Sequence, residues 1–259
     1  MPFTQQLLLK IPTTPLALSA IAGSALLTIL TTLLSHYIFS ARKKKNGGPL
    51  TDLIFGTNSI IYSILLITVL VTAWLGFKST QLDVQKEANC IIEINRNTEA
   101  FLPAIKTEIH ALLEEYTKSI INEEWKTLAR SEPNLHTIET SKKIWKIFTT
   151  YSPKDAREQV FLQESIRKLY ELRENRATRI QNSKIGIYPQ LWCVLLVGEV
   201  VTVFSLAFFS EDLKTKILTA LLFGVLVGLI FFTMLLFDFP YTGNFTVSSD
   251  PLRQVLLYW

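Results

Sequence analysis

The chain has 259 residues, 49% of them hydrophobic, and its mean hydropathy of +0.28 is high for a soluble protein of this size. Its 26 basic and 22 acidic residues leave a formal charge of +4, too small and too dispersed to point to nucleic acid. Cys90 lies in a charged stretch and Cys193 in an apolar run, so the cysteines do not read as a disulfide framework.

In chain order, a short N-terminal segment, 1–15, precedes an apolar run over 16–39. That run is too long for the core of a signal peptide and is followed by Arg42, Lys43, Lys44 and Lys45, a stop-transfer flank, so it reads as a retained span. A basic loop, 40–52, leads to a second apolar run over 53–77. A helix needs about 20 predominantly apolar residues to cross the hydrocarbon core. The runs at 188–209 and 217–237 also reach that length, and the short charged loop 210–216 joins them as an antiparallel hairpin. Tyr37, Trp74, Tyr188, Trp192 and Tyr241 stand near the span ends, where amphipathic aromatics are favoured.

Between the second and third spans, 78–187, Lys, Arg, Asp and Glu interleave with Ile, Leu, Trp and Tyr, the composition of a water-facing domain. Ile105, Ile109, Leu112, Tyr116 and Ile120 step by three or four, the repeat of an amphipathic helix. Breaks at Pro103, Pro133 and Pro153 divide the domain into predicted helices at 79–101, 104–130, 137–150 and 155–182, the outer two running directly into the adjoining spans. In the tail, 238–259, helix stops at Phe239 and Pro240 and restarts at Ser249, Asp250 and Pro251. Leu252, Val255, Leu256 and Trp259 would share one face of that last helix, suited to the membrane surface or to the spans. The predicted fold class is an all-α integral membrane protein: four transmembrane helices with a helical soluble domain inserted between spans two and three.

Several short patterns then line up along the chain. Asn58, Ile61 and Tyr62 open an apolar run to Trp74; Glu124 and Trp125 sit in mid-domain; Arg176, Ala177, Thr178 and Arg179 precede Pro189, Leu191 and Trp192; and Asp238, Phe239, Pro240, Tyr241, Thr242 and Gly243 follow the last span. In order and spacing this set resembles the bestrophin-like domain family, four-span bacterial membrane proteins distantly similar to bestrophin anion channels. The resemblance implies a homo-oligomer, a pentamer by analogy, in the bacterial inner membrane, with inorganic ions as ligands and the second span lining a pore. The acidic calcium-binding run that follows the last span of animal bestrophins has no counterpart, since Asp238 and Asp250 stand alone.

Asn58 and Tyr62 share a helical face that Leu65, Leu66 and Val69 continue. Around an axis it would be a polar mouth followed by an apolar constriction; otherwise Asn58 ties helices together while the rest packs. Glu199, inside the third span, and Asp238, at the end of the fourth, are candidate ion-pathway carboxylates, with a shallow residue that reaches headgroup water or hydrogen-bonds a neighbouring helix as the plainer reading of Glu199. Arg173, Arg176 and Arg179 step by three and are candidate contacts for anions or lipid phosphates, with an ion-pair network to nearby acidic residues as the plainer reading. Glu123 and Glu124 point in different directions on a helix, which predicts one exposed carboxylate and one buried anchor. His36, His110 and His136 have no Cys or second His at ligand spacing, so no metal is expected. With no phosphate loop, nucleophile elbow or metalloprotease signature, neither a cofactor nor catalysis is expected.

Arg42, Lys43, Lys44, Lys45, Lys214 and Lys216 lie in the two short connections on one side, which the positive-inside rule makes cytoplasmic. Similarity to bestrophins implies the opposite orientation, so the side on which the helical domain lies stays open. Two functions follow: an oligomeric ion channel or channel-like pore, or a non-conducting membrane module whose helical domain binds a partner.

Overall fold

Long apolar runs fold as helices because lipid offers no partner to a backbone N–H or C=O, so the bonds close within the segment. The computed structural model describes residues 2–39, 49–208 and 212–258, with only the backbone at 49–52. The basic run at 42–45, the start of the 210–216 loop and Trp259 lie outside the described residues. The elements are α1 (Phe3–Lys10), α2 (Thr13–Phe39), α3 (Pro49–Asn97), α4 (Pro103–Ser119), α5 (Trp125–Leu128), α6 (Leu135–Thr150), α7 (Ala156–Asn182), α8 (Pro189–Phe204), α9 (Leu213–Asp238) and α10 (Asp250–Val255). One π turn, Ile120–Glu124, joins α4 to α5, and no strand occurs among the described residues.

Four helices are long and apolar enough to cross a membrane, Thr13–Phe39, Leu53–Ala100, Pro189–Phe208 and Leu213–Asp238, which makes the protein a multi-pass, all-α membrane protein. Helix α3 carries the second span onward into the charged region without a break, as its sequence implies. The other expected continuity fails: 183–188 separates α7 from α8. Pro189 disfavours helix at the residue before it, and Tyr188 is accordingly extended, with φ −57° and ψ 135°.

The chain forms two units, a bundle made of 2–76 and 186–238, and a helical unit made of 77–185 and 239–259. In the bundle, α2 meets α9 through small residues. A Cβ on Gly224 would lie 2.8 Å from the Ala25 Cα, and one on Gly228 would lie 2.6 Å from the Ile21 Cα, so two backbones touch where only hydrogen fits. Buried Ser24, Ala25, Thr28, Thr32 and Ser35 on α2 continue that contact. Beside it, Tyr62, Leu66 and Val69 of α3 join Leu195 of α8 and Val227, Phe231 and Met234 of α9 in one apolar core.

The helical unit buries Val84, Ile91 and Ile94 of α3, Ile109, Leu113 and Tyr116 of α4, Ile144 and Phe148 of α6, and Leu169 and Leu172 of α7. Helix α6 starts where the Asn134 side chain accepts from the Thr137 N–H at 3.0 Å, and α7 where Asp155 accepts from the Glu158 N–H at 2.7 Å. The tail belongs to this unit. Leu252 and Val255 of α10 are fully buried in it, which corrects the expectation that this face meets the membrane surface or the spans.

Candidate functional site

Three places collect the chemistry: the two faces of α3 within the bundle, the carboxyl groups of the bundle, and a charged cluster in the helical unit.

On α3, the face expected to line a pore is the one that packs inside. Tyr62, Leu66 and Val69 are buried, while Asn58 and Leu65 are half-buried. The reason is steric: an edge of the Tyr62 ring sits against Gly198 of α8, where a Cβ would come within 2.7 Å of it. Against the same face stands Phe223, whose ring centroid is 6.1 Å from that of Tyr62. The opposite face is exposed among the described residues. Thr57, Ile61, Ile64, Thr68, Val71 and Leu75 recur at alternating steps of four and three and all are exposed, a straight stripe along the helix. The Thr68 hydroxyl donates to the Ile64 carbonyl at 2.7 Å, so no neighbouring helix claims it.

Among the bundle carboxyl groups, Asp238 is a structural acceptor. One of its oxygens takes the Ile187 N–H, tying the segment ahead of α8 to the end of α9, while the other, Oδ2, is buried with no hydrogen-bond partner among the described residues. Glu199 has no such use. It is fully buried on α8, and one oxygen accepts from the Ser24 hydroxyl of α2.

In the helical unit, Arg179 is fully buried between two carboxylates. Its Nε donates to Glu87 Oε2 at 2.7 Å, and Nη2 donates to Glu124 Oε1 at 2.7 Å and to Glu87 Oε1 at 3.2 Å. Arg176 grips the same Glu124 with two donors, its Nε at 3.1 Å, and the Tyr116 hydroxyl donates to Glu87 at 3.3 Å. Burial pushes the Glu124 carboxyl up, but the guanidinium groups of Arg179 and Arg176 outweigh it, so the carboxyl sits below its ordinary value. Burial disfavours the charged form of Arg179, yet Glu87 and Glu124 hold it more firmly protonated than usual. The guanidinium also stacks on the Trp125 ring at 5.4 Å, and Trp125 meets Tyr241 of the tail edge-on at 5.4 Å. The Trp125 indole donates to the Val247 carbonyl at 3.3 Å, so the charged cluster also holds the tail.

This geometry favours the ion-pair network for Arg176 and Arg179: both donate to internal carboxylates, although Nη1 of Arg179 is buried with no hydrogen-bond partner among the described residues. Arg173 is exposed and lines a groove of about 370 Å³ with Lys142, Arg176, Trp145, Leu169 and Leu172. Glu123 and Glu124 divide as their spacing implies, Glu124 being fully buried and the Glu123 side chain 45% exposed. The π turn that contains both lets the chain turn Glu124 inward there.

The sequence reading passed over Glu87, Ser24 and the Gly224/Gly228 pair. Each left a trace. Glu87 falls within the helical stripe of Val84, Ala88, Ile91 and Ile94, so it is an acid on a core face; the two glycines are four apart in an apolar run, the spacing of close helix contact.

The family model of the Bestrophin-like domain matches residues 22–252. No curated protein and no solved structure matches the chain.

Proposed function

The chain belongs to the bestrophin-like domain family, and from that premise we propose that it is an oligomeric ion channel or channel-like membrane pore lined by the free face of α3. One observation carries this reading: the stripe of Thr57, Ile61, Ile64, Thr68, Val71 and Leu75, which is exposed among the described residues. Set around an axis, its threonines supply wetted rings and Ile61 and Ile64 an apolar constriction between them, an arrangement that gates by dewetting. Similarity to bestrophins favours five copies.

The test is reconstitution of the purified protein in planar bilayers. Wild type is expected to pass ion currents, and Ile64→Ser, which wets the constriction, to raise them severalfold. Silence of both across several salts and voltages would refute a pore. The groove between α6 and α7 favours a second reading, a non-conducting module whose helical unit binds a partner. It joins Lys142, Arg173 and Arg176 to Trp145 and the apolar Leu169 and Leu172, with no carboxylate among its described lining residues. A purified monomer, silent in bilayers, would support it.

A further inference from the structure

Glu199 is an acid placed where charge is least tolerated. Its side chain is fully buried among α2, α3 and α8, and among the described residues no Lys, Arg or His bonds to it. One carboxyl oxygen, Oε1, accepts from Ser24. The other, Oε2, is buried with no hydrogen-bond partner among the described residues. The hydroxyl of Tyr62 is in the same condition, and its ring rests on Gly198, the residue before Glu199. Tyr62 is the titratable group of α3 that interacts electrostatically with the carboxyl. On α9, Lys216 and Asp238 stand at opposite ends, Lys216 reaching the Ala207 carbonyl and Asp238 the Ile187 N–H. On α2, His36 lies in the last turn, well past Ser24.

A lone carboxylate in such a place gives up water for one hydroxyl donor, and a buried acid in that position takes a proton instead of keeping its charge. A hard metal cation is the other way to neutralise it. That solution needs about six or more oxygen ligands, whereas among the described residues no group of three or more Asp, Glu, His or Cys side chains gathers here, and the one side-chain hydrogen bond to the carboxyl comes from Ser24.

We infer that Glu199 is a proton-binding site within the bundle: a neutral carboxylic acid that accepts from Ser24 at one oxygen and carries its proton on the other, beside the Tyr62 phenol. The inference is independent of conduction, since it concerns a group on the inner side of α3 and holds whether or not the opposite face lines a pore.

Infrared difference spectroscopy of wild type against Glu199→Gln, in detergent at neutral pH, reads the state directly. The expected result is a neutral-acid C=O band in the wild type that is lost in the variant. Ser24→Ala should keep the band and move it to higher wavenumber, because the carbonyl oxygen loses its donor; a purely structural serine would leave it in place. A carboxylate band instead of the acid band, whether with or without added Na⁺ or Ca²⁺, overturns the inference. Dicyclohexylcarbodiimide supplies a test that needs no variant, since this lipophilic reagent adds to a carboxyl through its acid proton. Mass spectrometry of the treated wild-type protein should place one adduct on Glu199. Adducts on other carboxyls with Glu199 untouched would count against the proton site.

Discussion

The two units bury acids in opposite ways. In the helical unit, Glu87 and Glu124 share Arg179, and Arg176 also holds Glu124, so two negative and two positive groups meet at hydrogen-bond distance and the cluster is neutral as a whole. In the bundle, Glu199 faces hydroxyls, and α2 and α9 are joined by touching backbones where the helical unit uses charge. The difference follows from the surroundings. A unit bathed in water can recruit arginines from distant parts of its chain, and a pair desolvated together keeps its charge. A bundle built from apolar spans has small residues and hydroxyls to offer, so its buried acid is stable as a neutral group.

Breaking the paired site should have the largest effect. Arg179→Met leaves Glu124 with Arg176 and Glu87 with the Tyr116 hydroxyl in place of an arginine, and should cost about 3–5 kcal/mol, seen as early loss of helicity in denaturant titrations in detergent. Next comes the close contact of the bundle. Gly224→Val drives a side chain into α2 and should cost about 1–3 kcal/mol in thermal unfolding. By contrast, Gly56→Ala, where a Cβ meets nothing within 4 Å, should be neutral or slightly stabilising.

A smaller loss is expected from acid. The folded Glu124 carboxyl lies below its ordinary value of 4.5, so the stability it contributes is fully present above that value and disappears as the pH falls through the folded one. Unfolding of the wild type should therefore become easier below about pH 4.5, and Glu124→Gln should lose most of this dependence. The smallest effect belongs to Glu199→Gln. A neutral amide replacing a neutral acid should change stability at neutral pH by less than about 1 kcal/mol, whereas a large change would mean that the bundle holds charge as the helical unit does.

Length and apolar content made the four spans legible, since few soluble sequences sustain such runs. Prolines marked the helix breaks at Pro103 and near Pro133 and Pro153 because the missing N–H acts locally. The side on which α3 packs was not legible, because Ile and Leu occupy both of its faces through the span and apolar pattern alone cannot rank them. What decided it was Gly198, a residue on another helix more than a hundred positions away. The pairing of Arg179 with Glu87 was hidden for the same reason: the partners are 92 residues apart, and nothing local links them. The tail posed a related difficulty, since the apolar face of α10 suits lipid and protein alike until its neighbours are known.

Modification of single cysteines in reconstituted channels tests the pore most directly, with Cys193 replaced by serine so that the new thiol is the exposed one. A charged, water-soluble thiosulfonate should alter the current of Ile64→Cys, on the free face of α3, and leave that of Leu66→Cys, in the bundle core, unchanged. Modification effective at Leu66→Cys and without effect at Ile64→Cys would contradict a pore on that face.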